Sequence, residues 1–174
     1  MKYLGIGLAV LLAAAVMVGC GGDDDGGYES KTVQGITLSW KINGSQDSLL
    51  VKVSATTVGM VLVGFDIDPL SGLQNANIIT GYVVSDTVYI QDNIGTGEEA
   101  YLPDTTFNGT DDVADKAGTE NGGTEITFTI PLDSGDPNDV VLEVGESYLV
   151  FLAWGNNDSH AYAPEVYAST EIEL

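Results

Sequence analysis

Apolar residues recur at every second position through most of this 174-residue chain, in short runs cut by Gly, Asp, Asn and Pro. That period puts alternate side chains on opposite faces of an extended strand, whereas a helix needs a period of 3.6. Ile36, Leu38, Trp40 and Ile42 share one face, with Thr37, Ser39 and Lys41 on the other. Leu49, Val51, Val53 and Ala55 repeat the pattern, as do Ile126, Phe128 and Ile130, and Val166, Ala168, Thr170 and Ile172. Val58–Phe65 and Ser147–Trp154 are nearly continuous apolar runs, suited to strands buried on both faces. Ala76–Val84 and Thr87–Gln91 pair around Ser85-Asp86. Beyond the N-terminal leader no apolar 3.6-residue period persists for three turns. About eight strands joined by polar turns predict an all-β antiparallel sandwich of immunoglobulin-like architecture. Its expected core includes Trp40, Val51, Val53, Leu62, Phe65, Ile79, Phe128, Val150 and Leu152. Gly95–Gly123 is poor in core residues and is expected to form a long, partly ordered excursion.

The chain opens differently. Met1-Lys2 precedes an apolar run from Leu4 to Val18, and Gly19-Cys20 closes it. A positive start, an apolar stretch too short to span a bilayer and a small residue before the cut describe an export signal. Gly19 beside a lone cysteine resembles the lipobox of bacterial lipoproteins, in which that cysteine is acylated and begins the mature chain. The organisation that follows is a signal peptide over 1–19, an acylated Cys20 with an acidic Gly/Asp tether over 20–32, and one domain over 33–174. Cys20 is the only cysteine, so no disulfide can form within the chain and burial alone must hold the domain. The alternative is an ordinary secreted protein in which Cys20 is incidental.

The chain carries 26 acidic residues against 5 lysines and no arginine, a formal charge of −21. Nucleic acids are bound through Arg and Lys, so this charge excludes them as partners. It leaves open solubility, calcium binding or a saline habitat.

Several strands resemble, in order, those of the DOMON domain. Ile36–Ile42 is similar to its first core strand. Gly59-Met60-Val61-Leu62-Val63-Gly64-Phe65-Asp66 is similar to its Gly-Trp strand, with Met60 where tryptophan is usual. Ala76–Val83 is similar to its GADIVIGYV strand, and Val88-Tyr89-Ile90-Gln91-Asp92 to the next. Pro131–Asp139 and Phe151–Gly155 followed by His160 are similar to later elements. The resemblance implies an extracytoplasmic β-sandwich that binds haem or sugar.

In haem-binding members a histidine at the place of His160 is one axial ligand, and a methionine before the GADIVIGYV strand is the second. Here Leu73 stands at that second place, and Met60 is the only methionine of the domain. The resemblance therefore implies a non-covalent b-type haem held by His160, alone or with Met60; Lys116 is a further conceivable ligand. The alternative is that His160 is an exposed loop histidine beside Asp158. A second reading is carbohydrate recognition by Trp154, Asn156, Asn157, Asp158 and Tyr162, with Trp40 adding an aromatic face. Trp40 and Trp154 also fit strand cores. Asp133, Asp136 and Asp139 are weak calcium candidates, and Asp111, Asp112 and Asp115 form a second acidic group.

No catalytic set is visible. One histidine, no second cysteine and no Gly-x-Ser-x-Gly elbow argue against an enzyme. The expected role is an outer-membrane or cell-surface lipoprotein, anchored in the bilayer through acylated Cys20. It binds a ligand or exchanges electrons with a redox partner, or serves as a structural module without a cofactor.

Overall fold

The computed structural model describes residues 26–161 and 164–174. Cys20 and the leader lie outside the described residues, as does Tyr162. Eleven strands form two antiparallel sheets. They are β1 (Glu29–Val33), β2 (Ile36–Ile42), β3 (Ser48–Ala55), β4 (Val61–Phe65), β5 (Asn77–Val84), β6 (Thr87–Gly97), β7 (Ala100–Pro103), β8 (Ala114–Glu120), β9 (Thr124–Pro131), β10 (Ser147–Trp154) and β11 (Val166–Glu173). One sheet runs β1-β2-β3-β9-β8 and the other β11-β10-β4-β5-β6-β7. Among the described residues no helix is long and apolar enough to cross a membrane.

The alternation in the sequence is the alternation in the sheets. β3 and β9 bury every second residue, and their register pairs Leu49 with Ile130, Val51 with Phe128 and Val53 with Ile126. These meet Val61, Val63, Phe65, Ile79, Val150 and Leu152 from the other sheet in one core. All nine residues expected in the core are buried. β4 sits between β10 and β5 and is buried on both faces, which is why its five residues are almost all apolar. Its run begins later than the pattern suggested, because Val58 is exposed in the preceding turn.

β4 has a second apolar face because the six-stranded sheet carries a smaller cluster on its outer side. There Leu62, Ile78, Phe151 and Ala153 meet Ile67, Leu73, Ala76 and Tyr101. The 66–76 loop forms this lid. It turns at Gly72, whose φ is +63°, and the Leu73 and Asn75 amides donate to the carbonyls of Glu98 and Gly95. Gly95 is required there, because a Cβ would lie 1.5 Å from the Leu73 carbonyl oxygen.

Two sequence expectations are corrected. The predicted tether runs into β1, which pairs with β2 from Glu29↔Trp40 to Val33↔Ile36 through a turn at Gln34-Gly35 with both φ positive. The 95–123 excursion is ordered: it completes β6, adds β7 and a 3-10 turn at Asp104–Phe107, and enters β8. Both errors have one cause. β1, β7 and β8 are edge strands held chiefly by backbone pairing, and edges carry little apolar pattern.

Candidate functional site

The loop 155–161 leaves β10 and folds over the outer face of the six-stranded sheet. It is pinned at its base: Gly155 N–H donates to the Met60 carbonyl at 2.9 Å and Met60 N–H to the Asn157 carbonyl at 3.0 Å. Thr57 Oγ1 donates to the Gly155 carbonyl at 2.8 Å. Gly59 permits this approach, since a Cβ there would lie 2.5 Å from the backbone of Gly155, Asn156 and Asn157. A cavity of about 230 Å³ lies between Met60 and Gly155, Asn157, Ser159 and Ala161.

His160 is set by this loop against β5. It is half-buried, not an exposed side chain beside Asp158. Its Nδ1 lies 2.8 Å from Thr80 Oγ1, and its ring is 4.8 Å from that of Tyr82. Thr80 is fully buried and also accepts from Asn93 Nδ2 at 3.2 Å. Burial first, and the charge of Lys116 second, hold the imidazole below its ordinary pKa of 6.5, so the ring is neutral at pH 7. Nε2 makes no hydrogen bond to a described residue.

Met60 reaches the same side of the sheet. It immediately precedes β4, in which Leu62 pairs with Thr80. Its thioether is buried and accepts from the Tyr101 hydroxyl at 3.5 Å. Leu73 is buried in the outer cluster next to Tyr101. The sequence-predicted His160, Met60 and Leu73 are therefore brought to one face. Thr80, Tyr82 and Asn93, which frame the histidine, were not singled out from sequence. Their alternate positions on neighbouring strands were the available signal. Lys116 is engaged with Asp111 at 2.6 Å, which removes it as an iron ligand in this arrangement.

The carbohydrate candidates are spread between the core and the surface. Trp40 is buried and donates its indole N–H to the Glu173 carbonyl at 3.0 Å. Trp154 packs against the main core. Asn156, Asn157 and Asp158 are exposed, and Tyr162 lies outside the described residues. Two stacked aromatic pairs lie on the outer face: Tyr82–Tyr89, with centroids 5.1 Å apart and planes at 16°, and Phe151–Tyr167, at 5.8 Å and 23°.

The acidic candidates are also rearranged. Asp133 makes a local turn contact, accepting the Gly135 amide. Asp136 accepts the amides of Asn138 and Thr110, and the first of these contacts leads in holding its pKa below the ordinary value. Asp139 instead joins Asp92 of β6 and Asp104 of the 3-10 turn, with ligand-capable oxygens all within 4.8 Å. Asp92 and Asp104 are 3% and 1% exposed. Burial, followed by the charge of Asp139, pushes Asp92 to about 8 and Asp104 to about 7; burial leads in raising Asp139 to about 6.

A haem iron needs a neutral imidazole, and His160 supplies the one among the described residues. A metal-binding imidazole commonly uses one nitrogen on the metal and the other on a second-shell oxygen. His160 has that arrangement, with Thr80 on Nδ1 and Nε2 left over. The cavity beside Met60, about 230 Å³, is open to solvent and is not lined by His160. His160 fits the group as a ligand through Nε2, while the Met60 thioether is engaged by Tyr101.

Comparison with known proteins identifies the family and the fold. The sequence model for the DOMON domain matches residues 32–155. The fold is similar to the cytochrome b domain of a pyranose dehydrogenase from Coprinopsis cinerea, with 11% identity and a TM-score of 0.58 over 83% of this chain and 80% of that one. It is also similar to the cytochrome domain of a cellobiose dehydrogenase from Myriococcum thermophilum, with 11% identity and a TM-score of 0.56 over 84% and 81%. No curated protein matches the sequence.

Proposed function

The chain belongs to the DOMON-domain family, and from that premise we propose that it is an extracytoplasmic lipoprotein whose domain binds a non-covalent b-type haem through His160 for electron transfer. The observation that carries this reading is the Thr80 hydroxyl on Nδ1 of a half-buried, neutral imidazole. When bound, the haem supplies one-electron iron chemistry. The residues of the chain do the rest. Thr80, steadied by Asn93, orients the ring when it accepts the Nδ1 proton, which leaves the Nε2 lone pair for the metal. Burial keeps the ring unprotonated and therefore able to donate. Tyr101 holds the Met60 thioether, and Leu73 fills the apolar wall, where it has no lone pair to offer.

The domain acts as an electron-transfer accessory without catalysis of its own, and Cys20 anchors it in the bilayer. The test is haemin titration of the purified protein. A saturable Soret band that shifts on reduction is expected, and His160→Ala should abolish it. Leu73→Met should move a five-coordinate spectrum toward six-coordinate. A wild-type protein with no saturable haem spectrum overturns the reading. For the anchor, Cys20→Ser should move the protein from the membrane to the soluble fraction; unchanged fractionation would remove the lipid from the proposal.

A carbohydrate ligand is the second reading, and the stacked Tyr82–Tyr89 pair on the outer face supports it. An oligosaccharide that perturbs tyrosine fluorescence, in a protein indifferent to haemin, would favour that reading.

A further inference from the structure

We propose that Asp92, Asp104 and Asp139 bind a calcium ion between the two sheets, at the end of the sandwich where β6, the 3-10 turn and the turn after β9 converge. The three carboxylates come from segments far apart in sequence, yet their oxygens lie within 4.8 Å of one another. The described structure places no cationic side chain on them; the nearby lysine, Lys116, is committed to Asp111.

The second observation concerns groups that burial ought to have satisfied. Asp104 is 1% exposed, and neither of its oxygens has a hydrogen-bond partner. Asp92 Oδ1 is likewise buried and unpartnered, while its Oδ2 accepts the Asp112 amide at 3.1 Å. Beside them Asn77, 5% exposed, donates Nδ2 to Asp139 Oδ1 at 3.0 Å and keeps a buried, unpartnered Oδ1. Buried polar atoms are almost always paired, and four unpaired acceptors in one place mark a missing positive partner.

The backbone is shaped to the same end. Gly109 N–H donates to the Asp104 carbonyl, and a Cβ on Gly109 would lie 2.9 Å from Asp104 Oδ2. Glycine thus lets the chain close over the carboxylate. Asp139 is held in place by Ser134 Oγ at 2.7 Å as well as by Asn77.

The chemistry selects the ion. All donors are hard oxygens, with carboxylates and an amide carbonyl and no His or Cys, which suits calcium or magnesium over zinc or copper. The oxygens sit on a turn, a strand and a loop, and such a site tolerates the irregular, larger coordination shell of calcium better than the strict octahedron of magnesium. Bound there, the ion would tie the 95–123 segment and the 131–139 turn to β6, independently of His160.

The experiment uses the full-length chain, stripped of metal by a chelator. Calcium should bind one to one by calorimetry and raise the melting temperature as its concentration rises. Magnesium should do so more weakly. Asp104→Asn, which keeps the shape, should lose the calcium-dependent shift. Its melting temperature in chelator should match or exceed wild type, because a repulsive buried charge has gone. That result separates lost binding from failed folding. Asp133→Asn, at the exposed turn, should bind calcium like wild type. Wild-type protein whose melting temperature is unmoved by millimolar calcium overturns the proposal, as does Asp104→Asn binding calcium unchanged.

Discussion

Gly95→Ala should detach the 66–76 loop from the outer face of the sheet. The added Cβ would lie 1.5 Å from the Leu73 carbonyl oxygen, 2.6 Å from its carbon and 3.3 Å from Ala76 N. These are backbone atoms, so no rotamer change relieves the contact. The loop must move, and with it go two hydrogen bonds, Asn75 N–H to the Gly95 carbonyl and Gly95 N–H to the Ala76 carbonyl, each 2.9 Å. At about 1 kcal/mol net apiece these contribute about 2 kcal/mol. Leu73, 1% exposed, would lose its packing against Tyr101 and Ile78, worth about 1.5–3 kcal/mol. The expected loss is therefore about 3–5 kcal/mol, a large fraction of a typical domain's stability. Urea unfolding followed by tryptophan fluorescence measures it. Gly44→Ala is the control: nothing lies within 4 Å of a Cβ there, and the change should be neutral or stabilise by up to about 1 kcal/mol. If Gly95→Ala costs less than about 1 kcal/mol, or no more than Gly44→Ala, the lid does not pack as described.

Phe65→Ala and Phe128→Ala, at the centre of the two facing sheets, should each cost about 3–5 kcal/mol in the same assay; a loss below about 1 kcal/mol at both would contradict the strand facing. In chelator, stability should fall as pH rises from 5 to 8. Folded Asp92 keeps its proton to about 8, whereas the unfolded chain has released it near 3.8, so the favourable contribution present below pH 4 is lost on the way up. Over three pH units this amounts to about 4 kcal/mol at most from Asp92, and a urea midpoint that rises over that range would refute it. His160 acts in the opposite direction: its lowered pKa contributes stability above pH 6.5 that is lost as pH falls, and NMR titration of this single imidazole should give a midpoint below 6.5.

The strands that could be read in advance are those whose side chains have a dry face. β2, β3 and β9 show their pattern because each buries alternate residues in the main core, while β5 and β10 show theirs as apolar runs buried on both faces. The Ser85-Asp86 turn was legible for the same local reason, since its two positive φ angles suit the short polar residues found there. β1 was not legible: Glu29, Ser30, Lys31 and Thr32 are all exposed, and the strand exists because β2 presents an open row of backbone groups. Of the site, His160 stood out as the one imidazole, and Met60 as the one methionine after position 17. Their environments did not, because Thr80 and Tyr101 come to them from other strands.

Sequence alone determined that this chain folds into an antiparallel β-sandwich with a dry centre, since period-two burial and the absence of helical periodicity leave few other ways to hide its apolar residues. It also determined the strong negative charge and the short list of possible ligand atoms. The tertiary structure decided where those atoms act. Asp92, Asp104 and Asp139 are separated by 35 or fewer residues at each step in a chain with many other aspartates, and nothing local distinguishes them from Asp133 or Asp136. The burial of Asp92 and Asp104, with Asp139 brought against them, distinguishes the three, because a carboxylate without water must find a proton or a cation. Trp40, which fits a strand core better than a sugar platform from sequence, is buried on β2, and Trp154 packs partly buried against the same core. Periodicity reports which residues leave water; only the packing of distant strands reports what they meet there.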